Sequence, residues 1–285
     1  MSFQIVHLSD IHFGGVADLR QLQAVEELVP DLDPRVIVLS GDLTQRARHG
    51  EFQAARAFVR ELERTAPVFA VPGNHDVQWW WRPFIPIAPQ VKYRKYVKYF
   101  GPVVTPTVKF PEAVITSALT SHGVAWGSLT YRLRDIAVKG HLPKKQIDRV
   151  KDLFSTTAES QIRVLVLHHN VLRGELSQRM GLARWKQAST RVVDAGADIV
   201  LCGHDHQELA DVLGDHVVVS CAGTLSTRSR GKRPSVFNRV TVDDDRVHVE
   251  LYRWEHEPAV FKRSDVHTFP RPRAMRESEV AAKAG

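Results

Sequence analysis

Short apolar runs alternate with helical patterns along most of the chain. Ile5–Ser9, Val36–Ser40 and Val68–Val71 are apolar runs bounded by polar turns, as expected of strands buried on both faces. Leu19–Val29 falls between the first two and reads as a helix. Phe52, Ala55, Phe58, Val59 and Leu62 recur at helical spacing before the third run. Ile162–Leu167 and Ile199–Cys202 repeat the theme, with a helix expected around Ala183–Ala195 between them. The pattern then changes. Leu209–Leu213, His216–Cys221, Ser235–Val242 and Arg246–Trp254 read as successive strands, and Asp243-Asp244-Asp245 is one of the turns between them. Alternating β and α followed by a strand-rich end predicts an α/β protein with two packed sheets flanked by helices. Residues 262–285, Pro/Arg-rich and then Ala/Glu/Lys-rich, are expected to form a basic, flexible tail.

The polar residues of interest lie where these strands stop. Ser9-Asp10-Ile11-His12 follows the first, Gly41-Asp42 the second, and Gly73-Asn74-His75-Asp76 the third. His168-His169-Asn170 follows the strand ending at Leu167, and Gly203-His204-Asp205-His206 the one ending at Cys202. Sites in open α/β sheets form beyond the carboxyl ends of the strands, so five such clusters should converge in space. Asp10 and His12 are two apart, and so are His204 and His206; in extended backbone each pair points to one side. Carboxylate, imidazole and amide oxygen without thiolate suit Mn, Fe or Zn ions. The set is too large for one tetrahedral ion and fits two ions about 3.5–4 Å apart sharing a carboxylate. Each cluster alone is a commonplace turn or strand end; the five together, in this order, are not.

The chain has 285 residues, 43% hydrophobic and 25% charged, which suits a soluble globular protein. No apolar run reaches the ~20 residues that span a bilayer, and no signal peptide is evident at the start. The two cysteines, Cys202 and Cys221, sit in apolar runs and read as small core residues. A reducing cytoplasm is the default setting. The net charge of +7 is local. No acid occurs between Asp76 and Glu112, where Arg82, Lys92, Arg94, Lys95, Lys98 and Lys109 all fall.

The order Asp-x-His, Gly-Asp, Gly-Asn-His-Asp, a strand-end His, then Gly-His-x-His resembles the calcineurin-like metallophosphoesterase superfamily, over roughly Phe3 to Trp254. The resemblance implies a four-layer αββα sandwich of two mixed sheets within residues 1–261. It implies two divalent metal ions per chain. Asp10, His12 and His206 would hold the first with Asp42, which bridges, and Asn74, His168 and His204 would complete the second site. His169 would then support that site or face substrate, His75 would be a catalytic non-ligand, and Asp76 would orient it. The implied reaction is hydrolysis of a phosphoester by in-line attack of a metal-activated water, with His75 as general acid.

Within the superfamily, Leu43-Thr44 and Val71-Pro72 resemble bacterial class III cyclic-nucleotide phosphodiesterases, which imply a phosphodiester or nucleotide-type substrate. Asn170 stands where those enzymes carry Pro. An aromatic and basic insertion at about 77–111 offers a second resemblance, to the UDP-2,3-diacylglucosamine pyrophosphohydrolases, which act on a lipid-linked substrate at the membrane surface. Trp79, Trp80, Trp81 and Arg82 are candidate substrate contacts there, and Tyr93, Tyr96, Val97 and Phe100 share one helical face. Three readings of the insertion stay open: a lid or packing element, a peripheral contact with anionic lipid of the inner membrane, or a single-stranded nucleic-acid surface.

Overall fold

The computed structural model describes residues 2–78, 89–122 and 139–272. Two six-stranded sheets stack face to face. The first takes β1 (Phe3–Leu8), β2 (Val36–Leu39) and β3 (Val68–Ala70), and later β10 (Val236–Val242), β11 (Arg246–Glu255) and β12 (Val260–Pro270). Its order is β12-β11-β10-β1-β2-β3. The second takes β4 (Thr107–Lys109), β5 (Ala113–Ser117), β6 (Ile162–His169), β7 (Ile199–Gly203), β8 (Leu209–Leu213) and β9 (Val217–Cys221), in the order β4-β5-β6-β7-β9-β8. One half of the first sheet (β1-β2-β3) and the middle of the second (β5-β6-β7-β9) are parallel, and antiparallel strands extend each.

Two-sided burial explains why these strands are continuously apolar. Ile5, Val36 and Val38 point between the sheets, where they meet Val164, Val166, Ile199 and Leu201. Val6, Leu8, Ile37 and Leu39 point outward and pack under α1 (Leu19–Leu28) and α2 (His49–Leu62). The outward Leu165, Leu167, Val200 and Cys202 pack under α5 (Lys144–Ser155) and α6 (Trp185–Asp194). The layers are therefore α, β, β, α, as expected. In α2 the buried residues are Phe52, Ala55, Phe58, Val59 and Leu62, the helical stripe seen in the sequence.

The short helices α3 (Pro89–Lys92) and α4 (Arg94–Phe100) belong to the aromatic, basic segment. Tyr93 and Tyr96 are buried, and Tyr99 stacks on Phe52 of α2 at 5.6 Å between ring centroids. The amines of Lys92 and Lys95 reach backbone carbonyls of His122 and Ala47. The described aromatics of this segment thus join the core, while its cations stay at the edge. Trp79, Trp80, Trp81 and Arg82 lie outside the described residues. Tyr96→Ala is expected to cost ~3–5 kcal/mol, the usual range for truncating a fully buried large aromatic. Urea unfolding measures it, and a loss below ~1 kcal/mol would show that α4 is only peripherally attached.

One boundary differs from expectation. The tail expected from Lys262 begins inside β12, which pairs antiparallel with β11 from Val260 to Pro270. Most side chains from Lys262 to His267 are exposed, so no apolar alternation marks the strand. Its order comes from the backbone ladder and from Phe261 and Phe269, which anchor it to the cores on either face of the sheet.

Candidate metal centre

The loops after β1, β2 and β3 meet those after β6 and β7 at one edge of the sandwich. Backbone bonds lock them together. Asp10 N–H donates to the Gly41 carbonyl (3.0 Å) and His12 N–H to the Asp42 carbonyl (2.9 Å). Across the sheets, His204 N–H donates to Asp10 Oδ2 (2.8 Å) and His168 Nδ1 to the Ser40 carbonyl (2.9 Å). Glycines permit this closeness. A Cβ on Gly73 would lie 2.1 Å from Asp42 Oδ1, and one on Gly41 2.6 Å from the His168 ring.

The pairs Asp10/His12 and His204/His206 do not converge through extended backbone. Asp10, His12, Asp42, His204 and His206 all have positive φ, between 53° and 74°. Asp and His tolerate that left-handed region better than most residues, at some cost, and such strain collects at functional sites. The result separates neighbours. His204 Nδ1 turns to Asn74 Oδ1 (3.1 Å) and His168 Nε2 (3.3 Å). His206 Nε2 turns to His12 Nε2 (3.0 Å) and Asp10 Oδ1 (3.3 Å).

Two donor groups result: Asp10, His12, Asp42 and His206 in one, and His168, His169 and His204 in the other, each with ligand atoms within 4.8 Å of one another. Asn74 joins the second, its Oδ1 3.0 Å from His168 Nε2. Asp42 lies between the two. Its Oδ2 is 3.8 Å from His12 Nε2 and 3.4 Å from His168 Nε2. All seven expected ligands are therefore brought together.

The donor set fits cations. His206 Nδ1 donates to the Arg228 carbonyl (2.7 Å), and His168 Nδ1 is spent on Ser40, so both rings turn Nε2 inward. Asp10 Oδ1 is buried and faces the His206 ring. Burial pushes His12 and His204 down to about 3. Burial also pushes His168 down, but the Asp42 carboxylate outweighs it and lifts the ring to about 9. His206 is raised likewise, with Asp10 overriding burial. Asp42 and Asp10 are held below the usual carboxylate range despite burial, Asp42 chiefly by His168 and Asp10 by His206. Buried ionised carboxylates that raise the histidines facing them call for positive charge at the centre, which bound cations would supply in place of those ring protons.

The neighbours of the centre depart from expectation twice. His75 is not oriented by Asp76: its Nδ1 donates to the Gln45 carbonyl (2.8 Å). Asp76 instead accepts from the backbone of Gly73, Leu43 and Thr44 and from the Thr44 hydroxyl, at 2.8–3.1 Å. It clamps the Asp42 loop to the Asn74 loop. Burial and then the Asp42 charge push its carboxyl up to about 7, against the pull of those donors. His169 is the second, in its substrate-facing alternative only; the other, support of the second site, fits its surroundings. Its ring is buried behind His204, 4.3 Å between centroids, with Nδ1 on Thr120 Oγ1 (2.8 Å). It therefore presents no face to a substrate.

A cavity of about 530 Å³ opens over the centre, lined by Asp42, Asn74, His75, His204 and His206. Asn170 lines it too, and its amide donates to the Leu172 carbonyl (2.7 Å), shaping the loop that forms one wall. A proline there could not make this bond. Arg179, Arg228 and Arg230 complete the rim. These three residues stood in no motif; only their positive charge near the site loops could have drawn notice.

A two-sheet sandwich with Asp, Asn and His converging from the strand ends defines a metal-dependent phosphoesterase fold. The sequence model of the family described as calcineurin-like phosphoesterase matches residues 3–208, and the chain belongs to that family. Over 104 residues it is 31% identical to a transmembrane protein with a metallophosphoesterase domain from Danio rerio; the match covers 35% of this chain and 24% of that protein. Among solved structures, the purple acid phosphatase PPD1 of yellow lupin (Lupinus luteus) superposes with TM-score 0.67 at 12% identity, covering 95% of this chain and 54% of that one. A dimetal phosphatase from Danio rerio superposes with TM-score 0.67 at 11% identity, covering 94% and 99%. At such identities the likeness is one of fold. Among the described residues, no helix is long and apolar enough to cross a membrane.

Proposed function

We propose that the chain is a dinuclear-metal phosphodiesterase acting on a nucleotide-type or other small phosphodiester. The observation that carries this reading is the Asp42 carboxylate, placed between two donor groups by the loops of both sheets. Asp10, His12 and His206 would hold one ion with Asp42, and Asn74, His168 and His204 the other. Mn, Fe or Zn suits this set of nitrogen and oxygen donors. When bound, the ions activate water and neutralise charge on the phosphoryl oxygens. The chain's own groups do the rest. Asp10 and Asp42 fix the positions of charge, the carbonyls of Ser40 and Arg228 fix the tautomers of His168 and His206, and His75 protonates the leaving oxygen.

The lipid-linked alternative draws on Trp79, Trp80 and Trp81. The described aromatics of the same aromatic, basic stretch of sequence, Tyr93 and Tyr96, are committed to the core, which favours the small-diester reading. The test is a hydrolysis panel with protein loaded with Mn²⁺, Fe²⁺ or Zn²⁺. Bis-p-nitrophenyl phosphate and cyclic AMP should exceed p-nitrophenyl phosphate in kcat/KM. A preference for the monoester would refute the diesterase reading, and no turnover with any metal would refute the enzyme.

The paired histidines offer a separate check. His168→Ala should weaken metal binding, because its Nε2 faces both Asp42 and Asn74. His169→Ala should retain both metals, because Thr120 already engages its ring. Metal analysis after gel filtration decides between them, and metal loss confined to His169→Ala would reverse the assignment.

A further inference from the structure

The cavity over the candidate metal centre has a cationic rim. Its rim holds Arg179, Arg228 and Arg230, which come from two separate loops, together with Lys139. Arg230 is the fixed member. Its Nε donates to the Asp205 carbonyl (2.7 Å), and its Nη2 pairs with Asp205 Oδ1 (3.2 Å). Asp205 is nearly buried, and its Oδ2 accepts from the Ser177 hydroxyl (2.7 Å). One carboxylate therefore ties both arginine-bearing loops to the segment between His204 and His206.

Arg179 and Arg228 are differently placed. Among the described residues, neither pairs with a carboxylate, although both line the cavity. The position of Arg228 is set from two sides. Its carbonyl accepts from His206 Nδ1 (2.7 Å), and its guanidinium donates to Gln45 Oε1 (3.3 Å). Gln45 also holds His75 through its backbone carbonyl. Arg228 is thus linked by single hydrogen bonds to a proposed ligand and to the residue that holds the proposed general acid. Arg179 is positioned through its backbone: its N–H donates to the Ser177 hydroxyl (3.1 Å), and its carbonyl accepts from Gly174 N–H (3.0 Å). Two guanidinium groups with no acidic partner, carried on braced loops beside a phosphoryl-transfer centre, match the planar fork that a phosphate accepts. Two ions held by Asp10, His12, Asp42, Asn74, His168, His204 and His206 would already supply the charge that a scissile phosphodiester needs.

We propose that Arg179 and Arg228 form a second anion subsite, and that the preferred substrate is a phosphodiester bearing a further phosphate group beyond the scissile one. This rests on the phosphodiesterase reading above. It adds that the enzyme selects phosphorylated nucleotides over simple diesters by charge at a point away from the reacting phosphorus. Arg230 and Asp205 hold the two loops in register and do not themselves meet the second phosphate.

The test uses a matched pair of chromogenic substrates: the p-nitrophenyl ester of thymidine 5′-monophosphate, with and without a phosphate at the 3′ oxygen. The scissile bond and leaving group are identical, so the ratio of their kcat/KM values reports the second phosphate alone. The metal-loaded wild type is expected to favour the 3′-phosphorylated ester by tenfold or more, mainly through KM. Arg179→Gln and Arg228→Gln should each lower that ratio, and the double variant should bring it near one. Raising the salt concentration should lower the wild-type ratio, because the subsite is open to solvent. A wild-type ratio near one, with both esters hydrolysed, would overturn the subsite and leave the phosphodiesterase reading intact. A ratio that survives in the folded double variant would assign the selectivity elsewhere and also overturn it. Hydrolysis of neither ester, nor of bis-p-nitrophenyl phosphate, would instead sink the reading on which the subsite rests.

Discussion

Asp42→Asn is expected to lower kcat/KM on any diester by more than the ~10²–10³-fold lost when one oxyanion-hole donor is removed. It should also leave the purified protein with less metal than the wild type. The substitution is close to isosteric. Asn keeps the Oδ1 that accepts from His75 N–H at 2.7 Å, and Asn is among the residues that best tolerate the left-handed backbone that Asp42 adopts. What it removes is the charge between the two donor groups, where Oδ2 lies within 3.8 Å of both His12 Nε2 and His168 Nε2. Both proposed ions lose a ligand at once, and the remaining carboxylate, Asp10, belongs to one group only. The measurement pairs metal analysis with steady-state kinetics, and an unchanged far-UV circular dichroism spectrum confirms the fold. Near-normal turnover with unchanged metal content would show that Asp42 does not bridge.

Much of the fold was legible because burial on both sheet faces turns β1, β2, β6 and β7 into apolar runs that stand out from their surroundings. The stripe of α2 was equally plain. Elements whose order comes from backbone pairing were not. β12 carries exposed polar side chains and is held by its ladder to β11, so composition alone presented it as tail. α5 escaped notice for a different reason. Its buried positions Ile147, Val150 and Phe154 are only three, set in a run of charged residues.

Which residues meet was legible in the sequence, and how they meet was not. All seven expected ligands meet, because each follows directly from a strand whose end could be located. The route by which they meet could not be read, since left-handed φ at Asp10, His12, Asp42, His204 and His206 leaves no signature in residue spacing. The same limit misplaced Asp76. Adjacency to His75 implied a direct partnership, whereas the turn directs the carboxylate back to the amides of Leu43, Thr44 and Gly73. The group that holds His75, the backbone carbonyl of Gln45, has no side-chain identity to detect.

That arrangement sets the expectation for His75→Ala: metal content is retained, and the rate on a diester with an alkoxide leaving group falls by ~10²–10⁴-fold, the range for a positioned general acid. Neither donor group includes His75, which lies edge-on to His12 with ring centroids 4.8 Å apart. Its Nδ1–H is fixed on Gln45, so the ring acts through Nε2, and the residue lines the cavity above Asp42. A group that protonates a leaving oxygen matters in proportion to how poor that oxygen is as an anion. The defect should therefore shrink steadily from methyl or ribosyl leaving groups to p-nitrophenolate, which departs without help. A plot of log rate against leaving-group pKa should be steeper for the variant than for the wild type. Equal slopes with a uniform loss would make His75 a stabiliser of charge on the phosphoryl oxygens, not an acid. Loss of metal would place it among the ligands. Gln45→Ala keeps the carbonyl that holds His75 while removing the amide that meets Arg228, so its slope should match the wild type.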